Sequence, residues 1–284
     1  MRLWKMSTRR ALFSEPRRTN FCRMVNIRNS PDSVTFTSED LRQFAADGYL
    51  IVRGLASSDH CARIRDCGLR DLAAATAPLE YEASLGYPGA PASLEAEGGL
   101  TVRRLLGAVD RDAALQEWAC SPTIASLMAQ IFGDRPVLSR AHHNCLMTKH
   151  PSFGSQTNWH RDIRYWSFER PELVSLWLAL GSERAKNGGL FVLPGTHRLE
   201  IDPERYDSAK FLRPDLPINQ ALIASKRAVE LDAGDALFFH SRLFHAAGPN
   251  TSVNVKFSLV FTYRAADNSP VAGTRSAETP EIFL

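Results

Sequence analysis

From Pro136 onward the chain breaks into short strand-like runs separated by turn signals. The runs cover 136–149, 174–181, 189–193, 228–231, 235–240 and 254–264. Asn187-Gly188 is a hairpin turn signal, and Pro194-Gly195 and Ala233-Gly234-Asp235 mark further turns. Many short strands punctuated this way predict an antiparallel sandwich or barrel. The first half reads differently. Thr37-Ser38-Glu39-Asp40 opens a helix with apolar residues at Leu41, Phe44 and Ala45, which Gly48 stops. Tyr49–Val52 reads as a buried strand. Ser57-Ser58-Asp59 starts a second helix running to about residue 75, and one further helix is expected over 111–132, ended by Gly133. Residues 77–100, rich in Pro, Gly, Ala and Glu, show no period and read as a long loop, a candidate lid. Helices first and strands second imply a mostly β domain with flanking helices on the outside of its core.

Composition narrows the class. Hydrophobic residues are 44% and charged residues 23% of the 284, which excludes general disorder and collagen-like structure. The five cysteines form no CxxC pair, which argues against a zinc ribbon and a disulfide scaffold. A reducing, cytoplasmic setting is expected. The net charge of +3 is unevenly spread: residues 1–24 hold seven basic groups and one acid, so the remaining 260 carry −3. Residues 1–30 are therefore set apart as a basic head, and 31–284 as a single domain. The head could mimic an Arg-rich presequence, or be a tail preceding a natural start at Met24. The body is not basic, so no nucleic-acid partner is expected. No apolar run reaches the ~18 residues of a membrane helix, so no membrane partner is expected either.

The chemistry centres on His160-Arg161-Asp162. On an extended segment, residues i and i+2 face one side, so His160 and Asp162 can grip one metal ion. A third ligand must come from elsewhere, and His245 is the best candidate. Two histidines and one carboxylate on one face of a metal suit non-haem Fe(II) oxygen chemistry. His142 and His143, being adjacent, face opposite ways on a strand; one is expected to line a pocket and the other to lie on the surface. Cys145 and Lys149 share a strand face and stand between pocket and core readings. Nucleophile-elbow GxSxG, phosphate-loop and HExxH motifs are absent.

Further motifs follow in order. They are Trp159-His160-Arg161-Asp162, Leu176-Trp177-Leu178-Ala179-Leu180, Asn187-Gly188-Gly189-Leu190-Phe191-Val192-Leu193-Pro194-Gly195-Thr196-His197, Ala233-Gly234-Asp235 to His240, and His245-Ala246-Ala247-Gly248-Pro249-Asn250. In this order and spacing the chain resembles the phytanoyl-CoA dioxygenase family of Fe(II)/2-oxoglutarate oxygenases, over about residues 38–264. The resemblance implies a double-stranded β-helix, a cupin-like jelly-roll core. It implies His160, Asp162 and His245 as iron ligands, with Fe(II), 2-oxoglutarate and O2 as cofactor and co-substrates. The family's basic residue for the far carboxylate of 2-oxoglutarate lies eleven positions after the distal histidine, which here is Lys256, a departure from the usual Arg. Lysine neutralises a carboxylate as a point charge but cannot fork around it. Arg264, of the same strand parity, is the rival. Trp177 matches a position lining the co-substrate pocket, with plain core packing as the alternative. Arg103 and Arg104 lie near a basic co-substrate position, or on a solvated face. Tyr165, Trp166, Arg161 and Arg164 are the candidate substrate residues. The implied reaction is hydroxylation of a small molecule (an acyl-CoA, an amino-acid derivative or a natural product), with succinate and CO2 released. Asp162 fills the position that a halogenase of this type keeps small.

Overall fold

The computed structural model describes residues 34–284; the basic head expected at 1–30 lies outside the described residues. Helix α1 (Ser38–Asp47) is started by a reciprocal cap, in which Thr37 accepts from the Asp40 backbone N–H while the Asp40 side chain accepts from the Thr37 backbone N–H. There follow β1 (Tyr49–Val52), α2 (Ser58–Ala73), β2 (Leu79–Tyr81), β3 (Val102–Leu106), α3 (Ala113–Ala119), α4 (Pro122–Phe132) and β4 (Pro136–Lys149). The second half comprises β5 (Thr157–His160), β6 (Leu173–Ala179), β7 (Leu190–Val192), α5 (Pro217–Ile223), β8 (Arg227–Ala228), β9 (Ala236–His240), β10 (His245–Ala247), β11 (Lys256–Ala265) and β12 (Ile282–Phe283).

Two antiparallel sheets form the core. The larger runs β1-β9-β6-β11-β4-β3-β2, with β12 also on β4; the smaller runs β5-β10-β7-β8. Side-chain alternation on the large sheet divides its residues between two cores. Phe257, Leu259 and Phe261 of β11 face α2, α3 and α4 and pack with Ile64, Leu115, Ile124 and Leu127. Each such fully buried side chain contributes roughly 1.5–3 kcal/mol. Tyr263 is fully buried on that side too, and its hydroxyl donates to the Ala119 carbonyl at 2.8 Å, so no polar atom is stranded. Val260, Trp177 and Phe239 face inward and meet Leu190, Val192 and Ala247 of the small sheet. The result is the expected jelly roll, with helices on the outer face of the large sheet.

Several local expectations are corrected. The helix expected over 111–132 is two helices: Cys120 closes α3, the Ser121 side chain caps α4, and Pro122 begins it. Proline cannot sit inside a helix but suits its first turn. Asn187-Gly188 does turn, with Gly188 at φ 77°, but it links β6 and β7, which lie in different sheets. It is a crossing between sheets rather than a hairpin. The 77–100 segment includes a strand, β2, and is anchored by a fully buried Glu82.

Gly48 illustrates how tightly α1 is seated. It closes that helix at φ 82°, and a Cβ there would stand 2.4 Å from the His197 ring. Gly48→Ala is expected to lower stability by about 1–3 kcal/mol, from left-handed strain plus overpacking, as read by chemical denaturation.

Candidate active site

Pairing of the small sheet builds the site. β10 runs antiparallel to β5 with His245 directly opposite His160. Arg161 keeps extended backbone (φ −112°, ψ 136°), and a short 3-10 segment begins at Asp162. The extended residue between them puts the carboxylate on the side of His160, with Oδ1 at 3.7 Å from His160 Nε2 and 3.4 Å from His245 Nε2. The ligand atoms of the three residues all lie within 4.8 Å of one another, and all three residues are buried.

The rings are held for ligation. His160 Nδ1 sits 2.8 Å from the Asn158 carbonyl and His245 Nδ1 3.1 Å from that of Leu243. With Nδ1 donating, each Nε2 presents a lone pair toward Asp162. Burial first, and His245 second, push His160 well below the ordinary imidazole range, so the ring is neutral as a metal ligand requires. Burial opposes ionisation of Asp162, but His143, His245 and His160 together overcome it and hold the carboxyl well below the usual range. Ser175 donates to its other oxygen at 3.2 Å. Two imidazoles and one carboxylate, oriented by carbonyls and a hydroxyl, fit a non-haem Fe(II) ion.

A cavity open to solvent contains the three ligands. Lys256, Trp177, Arg104, Arg103, Lys149 and His143 line it. Lys256 Nζ lies 3.1 Å from Glu183 Oε2, donates to Ser258 Oγ at 2.9 Å, and stands 5.0 Å from the Trp177 ring centre. The Trp177 indole N–H donates to the same Glu183 at 3.0 Å. Arg104 pairs with Glu80 at 3.0 Å.

Residues 44–257 match the family model described as phytanoyl-CoA dioxygenase (PhyH). The chain belongs to the phytanoyl-CoA dioxygenase family. It is 23% identical over 274 residues to the peroxisomal phytanoyl-CoA dioxygenase of Rattus norvegicus, covering 87% of this chain and 74% of that protein. It is 27% identical over 199 residues to the L-proline trans-4-hydroxylase of Streptomyces griseoviridis, covering 63% and 73%. Among solved structures it resembles EctD from S. alaskensis, crystallised with 2-oxoglutarate and 5-hydroxyectoine, at a TM-score of 0.68 and 19% identity over 83% of this chain and 78% of that one.

In this phytanoyl-CoA dioxygenase family member, some sequence expectations are displaced. Arg264 lies at the far end of β11 from Lys256. The pairing with β4 shifts register between Phe261 and Thr262, and Arg264 is buried in an ion pair with Glu281. It does not reach the cavity. Arg161 points away from Asp162, stacks 4.4 Å from the Phe244 ring centre, and donates to the Thr196 and Leu199 carbonyls. These contacts tie Arg161 to the 196–199 segment. Arg103, read as near a co-substrate position or on a solvated face, is 3% exposed and bound to Glu82, Ser155 and Thr157. Tyr165, Trp166 and Arg164 stand outside the cavity lining. Trp166 stacks on His142 and meets His143 edge-on. Arg164 lies over Phe211, which in turn packs edge-on against His160. Tyr165 is 56% exposed. His143 takes the pocket-lining role, while His142 is inserted between Trp166 and Phe168 rather than free on the surface. Cys145 packs between the sheets and Lys149 lines the cavity. Glu183 was not singled out by sequence reasoning; a carboxylate just after an apolar strand reads as loop surface, and nothing local signals its burial.

Arg264→Met breaks a buried pair remote from the cavity. It is expected to cost roughly 3–5 kcal/mol of stability while leaving Fe(II) affinity unchanged, as checked by denaturation and metal titration.

Proposed function

We propose that this chain is an Fe(II)- and 2-oxoglutarate-dependent dioxygenase that hydroxylates an aliphatic C–H bond of a small molecule, consuming O2 and yielding succinate and CO2. The observation that carries this reading is the buried His160–Asp162–His245 set opening into a cavity with a lysine- and arginine-lined wall. That wall is a seat for the far carboxylate of a keto acid. Family membership and the likeness to a proline hydroxylase support the same reaction.

O2 is the oxidant; bound iron would activate it, and 2-oxoglutarate would supply two of the four electrons as it leaves as succinate and CO2. The chain supplies geometry. His160, Asp162 and His245 hold the metal, and three protein ligands leave the remaining coordination positions open. Lys256 and Arg104 face the keto acid, and the Trp177 ring forms its wall. A full carboxylate at Asp162 favours hydroxylation over halogenation. Trp166, held against His143, and Arg164, bound to Tyr87 Oη at 3.2 Å, stand on the substrate side. Arg164 suits a substrate carrying an anionic group, and Tyr165 beside it extends that rim. Among the described residues no helix is long and apolar enough to cross a membrane.

The test is anaerobic addition of Fe(II) and 2-oxoglutarate to metal-free protein, observing the weak visible charge-transfer band of the chelate. The band is expected with the wild-type protein and absent with His160→Ala. Iron binding without the band would remove the keto acid from the reading.

A further inference from the structure

Four cations line the cavity: Arg103, Arg104, Lys149 and Lys256. Three already have carboxylate partners. Arg103 faces Glu82 at 3.0 Å, Arg104 faces Glu80 at 3.0 Å, and Lys256 faces Glu183 at 3.1 Å. Glu183 is itself 1% exposed, and also accepts from Ser258 at 2.6 Å and from Trp177. The charge of Lys256 is therefore balanced within the protein. Lys149 has no carboxylate within ion-pair distance among the described residues. Its ammonium donates to the Ser155 carbonyl alone, and it is 6% exposed.

Lys149 and Lys256 sit directly opposite each other across β4 and β11. With Lys149 protonated, Lys149, Lys256 and Glu183 together carry +2 and −1, an excess of one positive charge in a buried place. One carboxylate neutralises it. A buried cation without a counter-ion is costly, and the fold nonetheless makes room for this one. A Cβ at position 188 would lie 2.9 Å from Lys149 Cγ, so Gly188 leaves the space through which the lysine stem passes. The Asn187-Gly188 turn thus serves the cavity as well as the crossing between sheets.

We infer that Lys149 is a further co-substrate-binding residue, whose ammonium supplies the uncompensated charge that receives the far carboxylate of the keto acid beside Lys256. This rests on the 2-oxoglutarate reading above. Lysine side chains carry three donors; Lys149 uses one of them on Ser155.

The titration of Lys149 supports the assignment and supplies its signature. Burial first and Arg103 second lower its pKa to about 7; Glu82 opposes them, and Lys256 adds a weaker lowering effect. The other polar groups about the site, Ser155 and Thr157, do not titrate in this range. A carboxylate seated beside Lys149 favours the charged form, so binding takes up a proton. Affinity for the keto acid is then greatest below about pH 7 and weakens above it, by up to about tenfold per pH unit. A lysine that merely fastened Ser155 would give no such slope.

The experiment titrates 2-oxoglutarate into the anaerobic Fe(II)-saturated protein and reads Kd from the charge-transfer band between pH 7 and 8.5. The wild-type Kd is expected to rise with pH. Lys149→Met is expected to raise Kd roughly tenfold at pH 7, as loss of a charge-assisted contact does, and to remove the slope. Glu183→Gln, which leaves a second uncompensated cation, is expected to lower Kd. A wild-type Kd that is flat with pH, or a Lys149→Met protein with the wild-type Kd, overturns the inference while leaving the iron and keto-acid reading intact. Absence of the band in the wild-type protein overturns that reading itself, and the inference with it.

Discussion

The pairing of β5 with β10 is the constraint on which the site depends. Antiparallel register sets His160 opposite His245, residues 85 positions apart in sequence. Everything near the metal position follows from that alignment. The carbonyls of Asn158 and Leu243, each two residues before its histidine, fix the two rings in the same sense. Extended backbone at Arg161 keeps Asp162 on the same side. β10 is only three residues long and lies between β5 and β7, so its placement comes from its neighbours rather than its own propensity. The large sheet, locked to the helices by a continuous apolar core, is the base against which this short strand is positioned.

One wall of the cavity is charged, within a lining that is otherwise largely apolar. Glu82, Arg103, Lys149, Glu183, Ser258 and Lys256 are all buried close to it. Buried charges persist only when paired and hydrogen-bonded, and these are paired in turn until one cation is left over. The arrangement resembles a partly completed ion network into which an anion fits as the last member. Lysine in place of the family's arginine at position 256 is consistent with this design. A point charge shared between Glu183 and Ser258 needs no bidentate fork, and Lys149 restores the charge that Glu183 removes.

Much of this was legible in the sequence because it depends on local pattern. The strand runs at 136–149 and 235–240 agree closely with β4 and β9, since alternation and turn residues operate over a few positions. The metal triad was readable as a likeness of motif and spacing, and His160 with Asp162 from strand parity alone. What was not legible depends on tertiary pairing. β5 and β10 are too short to show a period. Arg264 shares parity with Lys256, yet the register shift after Phe261 and the length of β11 carry it to Glu281 instead. Arg103 looked like surface because its partner Glu82 lies within a segment with no periodicity. Glu183 gave no sequence signal, as its burial is decided by β11 and Trp177.

The central claim is that one buried triad and one adjacent cationic seat together hold iron and a keto acid. A crystal structure grown anaerobically with Fe(II) and 2-oxoglutarate tests it most directly. The account predicts anomalous iron density bonded to Nε2 of His160 and His245 and to an Asp162 oxygen, with the far carboxylate of the keto acid between Lys149 and Lys256. Iron bound elsewhere, or a keto acid whose far carboxylate meets neither lysine, would contradict it.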